Sequence, residues 1–151
     1  MRRARRESIA TTQLWDTEPI DAVEALLCDL VSHYNCTHGY VALDNGIASK
    51  EIATCNGVYD QFESEVDKVQ GIIGRNIPVL VADMSVHPLY KDSSYVHSGK
   101  KFALFLPFHD ANRVYIGYIG IESTEARFDI KWRDTAYFMT TVKKIIAIYG
   151  V

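Results

Sequence analysis

Long apolar runs are missing from this sequence: none approaches the roughly 18 residues that a helix needs to cross a membrane. Residues 1–6 read MRRARR, the basic opening of a secretory signal, but Glu7 and further polar residues interrupt the apolar stretch that such a signal needs. Excess positive charge is missing too, because 16 Lys and Arg stand against 19 Asp and Glu. General nucleic-acid binders usually carry a basic field. We therefore expect a soluble, cytoplasmic protein with no membrane span and no nucleic-acid partner.

Cysteine is scarce, with three residues at positions 28, 36 and 55. An odd number without the spacing of a disulfide framework predicts reduced thiols in a reducing compartment. Cys28, His33, Cys36 and His38 lie within a short span and raise the question of zinc. Structural zinc sites usually pair their cysteines in a Cys-x2–4-Cys knuckle, which these residues do not form. We therefore expect no metal site.

Motifs of the common enzyme classes are also absent. The sequence contains no Gly-x-Ser-x-Gly, no phosphate-binding loop and no His-Glu-x-x-His. Its apolar fraction of 48% and charged fraction of 23% are ordinary for a globular chain, and 151 residues are the usual size of one domain. The sequence thus predicts one folded domain without catalytic residues, which is not an enzyme.

The period of the apolar residues predicts helices at both ends of the chain. Cap-type side chains and a proline at 16–19 begin the first helix, whose apolar residues from Ile20 to Tyr34 recur at helical spacing as far as Asn35. A second helix is predicted at 63–73, and the last one runs from about Ile130 to Tyr149.

Between these helices the apolar period changes to two, which is typical of strands. Strands are predicted at 40–43 and 47–54 around a turn at 44–46, at 79–81, and as a hairpin of 101–108 and 114–121. Residues 84–99 are polar and irregular, and loops of this length inside domains are usually functional or mobile. Strands joined by short turns predict an antiparallel sheet of about five to six strands, with the terminal helices on one face.

Several stretches, in this order, resemble a GAF domain. They are 74–83 (GRNIPVLVAD) followed by His87–Tyr90, the hairpin Phe102–Phe108 with Tyr115–Ile121, and Phe128 before the last helix. The resemblance covers roughly residues 17–151 and leaves residues 1–16 as a basic N-terminal arm or an extension of the first helix. It implies an α+β fold with the antiparallel sheet that GAF domains share with PAS and profilin-like domains. The long helix before the first hairpin favours GAF over PAS.

The resemblance also implies a function. GAF domains are sensory modules of signalling proteins, with a ligand cavity on the sheet face opposite the terminal helices, roofed here by the loop after Asp83. Their terminal helices often dimerise and carry the signal outward. We therefore expect a regulatory domain of a bacterial signal-transduction protein that binds a small molecule. It would form a homodimer through its terminal helices and relay ligand occupancy to an output domain, attached or separate.

Six residues of the predicted pocket are candidates for ligand binding: Asp83, Tyr90, Tyr95, His97, Phe102 and Phe105. The loop 84–99 supplies aromatic and histidine side chains beside an apolar strand, which is what the roof of a pocket contains. Asp83 has an alternative role, since short acidic side chains cap turns through the backbone. His97 has two alternatives, an exposed loop position or the axial position of a haem, as in some haem-binding GAF sensors. The sequence identifies no cofactor.

Other branches of the family fit less of the sequence. A bilin pigment needs a cysteine in the loop 84–99, and none follows Cys55. The Asn-Lys pair typical of the cyclic-nucleotide branch is missing. Free methionine sulfoxide reductases use cysteines in loops over the pocket, and none of the three lies in 84–99. A ligand-free dimerisation module is a further alternative, with its pocket filled by Tyr59, Phe62, Tyr95, Phe102 and Phe105.

Overall fold

A five-stranded antiparallel sheet organises the part of the chain that the computed structural model describes, which is residues 17–44, 49–56, 77–92, 94–97 and 99–150. The elements in chain order are helix α1 (Thr17–Tyr34), strands β1 (His38–Asp44), β2 (Ser49–Cys55) and β3 (Val79–Val81), the short helix α2 (Ser94–His97), strands β4 (Phe102–His109) and β5 (Tyr115–Ser123), and helix α3 (Ala136–Tyr149). Single 3-10 turns lie at Met84–Val86 and Trp132–Asp134. The strand order is β2-β1-β5-β4-β3, with every neighbouring pair antiparallel. The predicted α+β class and antiparallel sheet are confirmed.

The predicted elements differ from the observed ones in a few places. β5 continues to Ser123 instead of ending at 121. The segment 84–99 contains a 3-10 turn and α2, so it is less irregular than predicted. The basic arm at 1–16, most of the turn at 44–46 and the helix predicted at 63–73 lie outside the described residues. In the described part, no helix is both long and apolar enough to cross a membrane.

Helix α1 packs one face against the sheet. Its buried side chains recur every three or four residues: Val23, Leu27, Leu30, Val31 and Tyr34. The helix ends at Tyr34 because Asn35 has a left-handed backbone (φ 53) and the Cys36 N–H turns back to the Val31 carbonyl at 2.8 Å. The end predicted near Asn35 is therefore confirmed.

Helix α3 begins later than predicted. Lys131 is extended, a 3-10 turn follows it, and the helix begins only at Ala136. The Asp134 carboxylate accepts a hydrogen bond from the Lys131 N–H at 2.9 Å, which closes this separate turn. Ile130 is nevertheless buried. The helical spacing of apolar residues therefore continues before Ala136, in a segment whose backbone is not helical. Gly150, with φ 70, ends the helix as its left-handed cap.

Both faces of the sheet are buried, each under a different layer. One face joins α1 and α3 in the helix-side core, which includes Val41, Phe102, Leu104, Ile119 and Ile121. The opposite face carries a second apolar group, the far-face cluster: Tyr40, Ala42, Val81, Met84, Tyr90, Ala103, Phe105 and Tyr118. Successive residues of a strand point to opposite faces, so β1, β4 and β5 contribute to both layers. The predicted packing of the terminal helices on one face is confirmed.

Gly120 on β5 lies at the centre of the far face. Its register partners are Tyr40 on β1 and Phe105 on β4. A Cβ atom at Gly120 would lie 2.6 Å from the Tyr40 hydroxyl oxygen and 2.9 Å from Cδ1 of Phe105, which is too close for any side chain. Tyr40 also packs edge-on against Tyr118, with ring centroids 5.8 Å apart. The chain's own aromatic side chains therefore fill the centre of the far face.

Replacing Gly120 by Ala tests this packing. We expect the free energy of unfolding to fall by about 1–3 kcal/mol, because the new methyl group displaces the Tyr40 and Phe105 rings. Urea denaturation followed by circular dichroism measures the change. Gly39→Ala is the matched control on β1. The atom nearest to a Cβ added at Gly39 is Val31 Cγ2 at 3.0 Å, and because this is a side-chain atom that can move, the loss of stability should be smaller. A Gly120→Ala protein as stable as the wild type would contradict the placement of the two rings.

Candidate functional site

The segment after β3 covers the far face. The Met84 N–H donates a hydrogen bond to the Lys101 carbonyl at 2.6 Å, which fastens the 3-10 turn beside the start of β4. Met84 and Tyr90 are both buried in the far-face cluster. α2 lies against the 3-10 turn. The segment therefore forms a layer over this face of the sheet, separate from the layer of terminal helices.

Asp83 caps the turn that follows it. Its carboxylate accepts hydrogen bonds from the Ser85 hydroxyl at 2.5 Å and from the Ser85 N–H at 3.0 Å. The bond from the Ser85 hydroxyl is the main reason that the pKa of Asp83 is lowered, since it stabilises the charged form. The structure thus shows the capping role of Asp83, and its role in ligand binding stays a prediction.

The structure separates the other predicted pocket residues. Tyr90 and Phe105 come together in the far-face cluster. Phe102 lies in the helix-side core instead, because it is three positions from Phe105 and an odd offset along a strand reverses the face. His97 is exposed at the end of α2. Tyr95 belongs to the same short helix, but its side chain lies outside what the structure describes.

A buried charged group lies on the far face, where no sequence pattern had indicated one. The Glu122 side chain on β5 is only 1% exposed. Its carboxylate atom Oε1 lies 2.6 Å from the Lys100 ammonium and also pairs with Nδ1 of His38. The other carboxylate atom, Oε2, is buried and has no hydrogen-bond partner among the described residues. We refer to Glu122, His38 and Lys100 as the charged cluster.

The register of the sheet brings the charged cluster together. His38 is the first residue of β1 and is the partner of Glu122 on β5. Glu122 lies four residues beyond Tyr118, and this even offset points both side chains to the far face. Lys100 comes just before β4, whose residue Ala103 is the other partner of Glu122. The cluster therefore lies at the end of the far face where β1 and β4 begin.

Burial of the Glu122 carboxylate in the charged cluster carries a desolvation cost. Taking a carboxylate and an ammonium out of water costs several kcal/mol per ion, and a packed apolar pair of similar volume is often at least as stable. A buried acceptor without a partner, such as Oε2, costs about a further 1–3 kcal/mol. Since the rest of this face is apolar, packing alone does not require a carboxylate at position 122. A carboxylate kept at this cost is therefore a candidate for a functional role.

One sequence signal could have located Glu122. Tyr118, Gly120 and Glu122 continue the period of two along β5, so Glu122 takes an inward position of the strand. Because the strand was predicted to end at 121, Glu122 fell outside the predicted strand. An acidic residue that keeps the strand period next to an apolar run is the pattern to look for.

Two of the three cysteines form a disulfide, which corrects the prediction of three reduced thiols. Cys28 on α1 and Cys55 at the end of β2 are bonded, with Cα atoms 5.2 Å apart. α1 packs across β2, and this contact brings the two residues together although 27 positions separate them. Cys28 lies on an exposed part of α1.

Cys36 is the free cysteine of the described chain. Burial raises the pKa of its thiol to about 11, because the thiolate is disfavoured away from water. At neutral pH the residue is therefore a protonated thiol and a poor nucleophile. Across the residues that the structure describes, no three His, Cys, Asp or Glu side chains are placed to hold a metal ion.

Many solved structures match the fold of this chain. The GAF domain of an Acinetobacter phosphoenolpyruvate-protein phosphotransferase matches with a TM-score of 0.64 at 10% identity, over 99% of this chain and 94% of that one. The free methionine-R-sulfoxide reductase of Neisseria meningitidis, solved with its substrate, matches with a TM-score of 0.66 at 12% identity, over 96% of this chain and 86% of that one. A bacteriophytochrome of R. palustris matches with a TM-score of 0.67 at 13% identity, over 97% of this chain but only 36% of that longer one. The chain therefore has a GAF-like fold.

Similarity in sequence is low. No family model matches the chain, and no curated protein does. At identities of 10–13% the structural matches show the fold alone. The three matched proteins include a reductase, a domain of a phosphotransferase and a bacteriophytochrome, so one fold carries different functions. The function of this chain has to be argued from its own site.

The Cys28–Cys55 disulfide provides a stability test. Reduction should lower the free energy of unfolding by about 3 kcal/mol, because opening a loop with a sequence separation of 27 restores freedom to the unfolded chain. Urea denaturation with and without a reductant measures this change. Cys28→Ser should abolish the effect of the reductant, whereas Cys36→Ser should leave it intact. Three reactive thiols in denatured wild-type protein purified without reductant would count against the disulfide.

Proposed function

We propose that this chain is the small-molecule-binding regulatory domain of a cytoplasmic bacterial signal-transduction protein. It relays ligand occupancy through α1 and α3 to an output domain, attached or separate, and catalyses no reaction itself. The observation that carries the proposal is the charged cluster, in which His38 and Lys100 pair with the buried Glu122 carboxylate on the face of the sheet away from those helices.

The ligand would bind at the end of the far face where the charged cluster lies. The centre of that face is filled by aromatic rings, whereas Glu122 Oε2 is an acceptor without a partner in the described chain. A few polar groups against apolar walls are what small-molecule sites usually present. Phe105 and Tyr90 would supply apolar wall, and the segment that begins at Asp83 and includes His97 would close over the ligand. Tyr95, which shares α2 with His97, stays among the proposed site residues.

Two sets of hydrogen bonds near the end of α1 join the backbone of Glu122 to the chain just after α1 and join α1 to α3. The Glu122 carbonyl accepts the Thr37 N–H at 2.9 Å, just after α1. At the end of α1, the Tyr34 hydroxyl donates to the Asp134 carbonyl at 2.7 Å and accepts the Phe138 N–H at 3.0 Å, which ties α1 to α3. A ligand that shifts Glu122 would bias how these helices pack against each other and against a second copy. The signal would then be a population shift between two arrangements.

A second candidate is a ligand-free dimerisation module. Its support is that Tyr40, Tyr90, Phe105 and Tyr118 are completely buried, so the chain's own rings occupy the centre of the face where a ligand would be sought. In that case Glu122 would have a structural role only. Both candidates use a homodimer formed through the terminal helices.

Native mass spectrometry of the purified protein, with an absorption spectrum of the same preparation, separates the two candidates. We expect a dimer that carries the extra mass of a small molecule, which denaturation releases. Glu122→Gln should lose this mass, because it alters the acceptor at the site. Glu125→Gln, which changes an exposed carboxylate three residues away, should retain it.

Each other result has a definite meaning. A wild-type dimer that stays ligand-free, even after incubation with a low-molecular-weight cell extract, would contradict the binding proposal and favour the dimerisation module. A ligand retained equally by Glu122→Gln would support a sensor with its site elsewhere. A Soret band that disappears in His97→Ala would identify the ligand as haem.

A further inference from the structure

Glu122 offers a hydrogen-bond acceptor that nothing in the described chain uses. Lys100 and His38 both bind Oε1, while Oε2 is buried and without a partner. A carboxylate has lone pairs on both oxygens, and leaving a buried acceptor unpaired is unfavourable. From this asymmetry we infer that the ligand is a neutral small molecule that donates a hydrogen bond from an N–H or O–H group to Glu122 Oε2. The inference rests on the proposed function, because it concerns the same site.

The ligand must present a donor at this position, because an ionised carboxylate only accepts hydrogen bonds. An anionic group brought to Oε2 would be repelled by the charge of Glu122 at close range, with little water to screen it. Lys100, the cation that would attract an anion, is already paired with Oε1 at 2.6 Å. Carboxylate and phosphate groups are therefore excluded from contact with Oε2.

The charge balance of the cluster favours a ligand whose donor group is neutral. The Lys100 ammonium already compensates the charge of Glu122. A cationic ligand would add a second positive charge beside a side chain that is only 1% exposed. Burying an uncompensated charge is far less favourable than burying a neutral donor that is hydrogen-bonded. Amides, hydroxyl compounds and heterocycles with an N–H group meet both conditions.

The surroundings of Oε2 add an apolar requirement. Ala103 on β4 is the register partner of Glu122, and Val81 on β3 is the partner of Ala103. The far face beside Glu122 is thus apolar toward β3, with compact side chains. On the β1 side, the ring centroids of Tyr40 and His38 are 5.5 Å apart. A donor group attached to a compact apolar or aromatic body fits this end of the face.

Probes that differ only by methylation of the donor test the inference. The pairs are benzamide with N,N-dimethylbenzamide, phenol with anisole, and indole with 1-methylindole, and benzamidine is the cationic relative of benzamide. Backbone amide shifts of Ala103, Glu122 and Ser123 in the nitrogen-15-labelled chain report binding and give each Kd. We expect donor compounds to bind about tenfold more tightly than their methylated partners. Benzamide should also bind more tightly than benzamidine.

Two variants separate the hydrogen bond from the size of the added methyl groups. In Glu122→Gln the amide oxygen keeps the contact with Lys100, so the amide nitrogen takes the place of Oε2 and the acceptor becomes a donor. The preference for donor compounds should then disappear or reverse. Glu125→Gln should keep the wild-type preference. If Glu122→Gln fails to fold, Glu122→Asp replaces it, since it withdraws the acceptor by one methylene group.

The inference and the proposed function can fail separately. Equal binding within every pair, a preference that survives in Glu122→Gln, tighter binding of benzamidine, or no probe-induced shift at these amides would each overturn the inference. So would a ligand, retained in native mass spectrometry, that has no neutral N–H or O–H group. In all these cases a retained ligand sensitive to Glu122→Gln would leave the proposed function standing. The lack of any bound or retained small molecule would overturn both.

Discussion

The close approach of neighbours to β5 is the constraint on which the other features depend. β5 lies between β1 and β4 and is covered on both faces, so it has no room for a side chain at two positions. A Cβ atom at Gly117 would run into the Ala42 carbonyl, and one at Gly120 would run into the rings of Tyr40 and Phe105. With glycine at both positions, a single sheet can carry the helix-side core on one face and the far-face cluster on the other. A domain of this size needs such double burial to offset its conformational entropy.

This packing also decides where a ligand site can lie. Because aromatic rings occupy the centre of the far face, the proposed ligand site lies at the end of that face, where the Glu122 carboxylate is buried. At that end Glu122 belongs both to the far face, through its side chain, and to the junction after α1, through its carbonyl bond to Thr37. The same residue thus connects the proposed site with the helices that would carry the signal.

The sequence predicted the features that depend on local periodicity. The first helix, the antiparallel strands and the packing of both terminal helices on one face follow from the spacing of apolar residues, which each segment shows by itself. The start of α3 was predicted too early, because buried Ile130 keeps the apolar spacing although its neighbour Lys131 is extended. Phe102 and Phe105 were grouped by their common chemistry, although the odd offset between them places the rings on opposite faces.

The features that the sequence did not show depend on contacts between distant segments. The Cys28–Cys55 bond requires α1 to lie across β2, and no spacing rule for cysteines contains that information. The charged cluster requires the register that pairs His38 with Glu122, 84 positions apart, with Lys100 alongside. Of this cluster, only the place of Glu122 in the strand period could have been recognised from the sequence, and that place does not identify its partners.

A crystal structure of the protein as purified, without added ligand, tests the central claim most directly. The account predicts electron density for a small organic molecule at the end of the far face, with a nitrogen or oxygen atom within hydrogen-bond distance, about 2.6–3.2 Å, of Glu122 Oε2. A structure in which a side chain of the same chain donates that hydrogen bond, with no further density on the far face, would contradict it. In that case Glu122 is a structural residue and the domain is a module that binds no small molecule at this face.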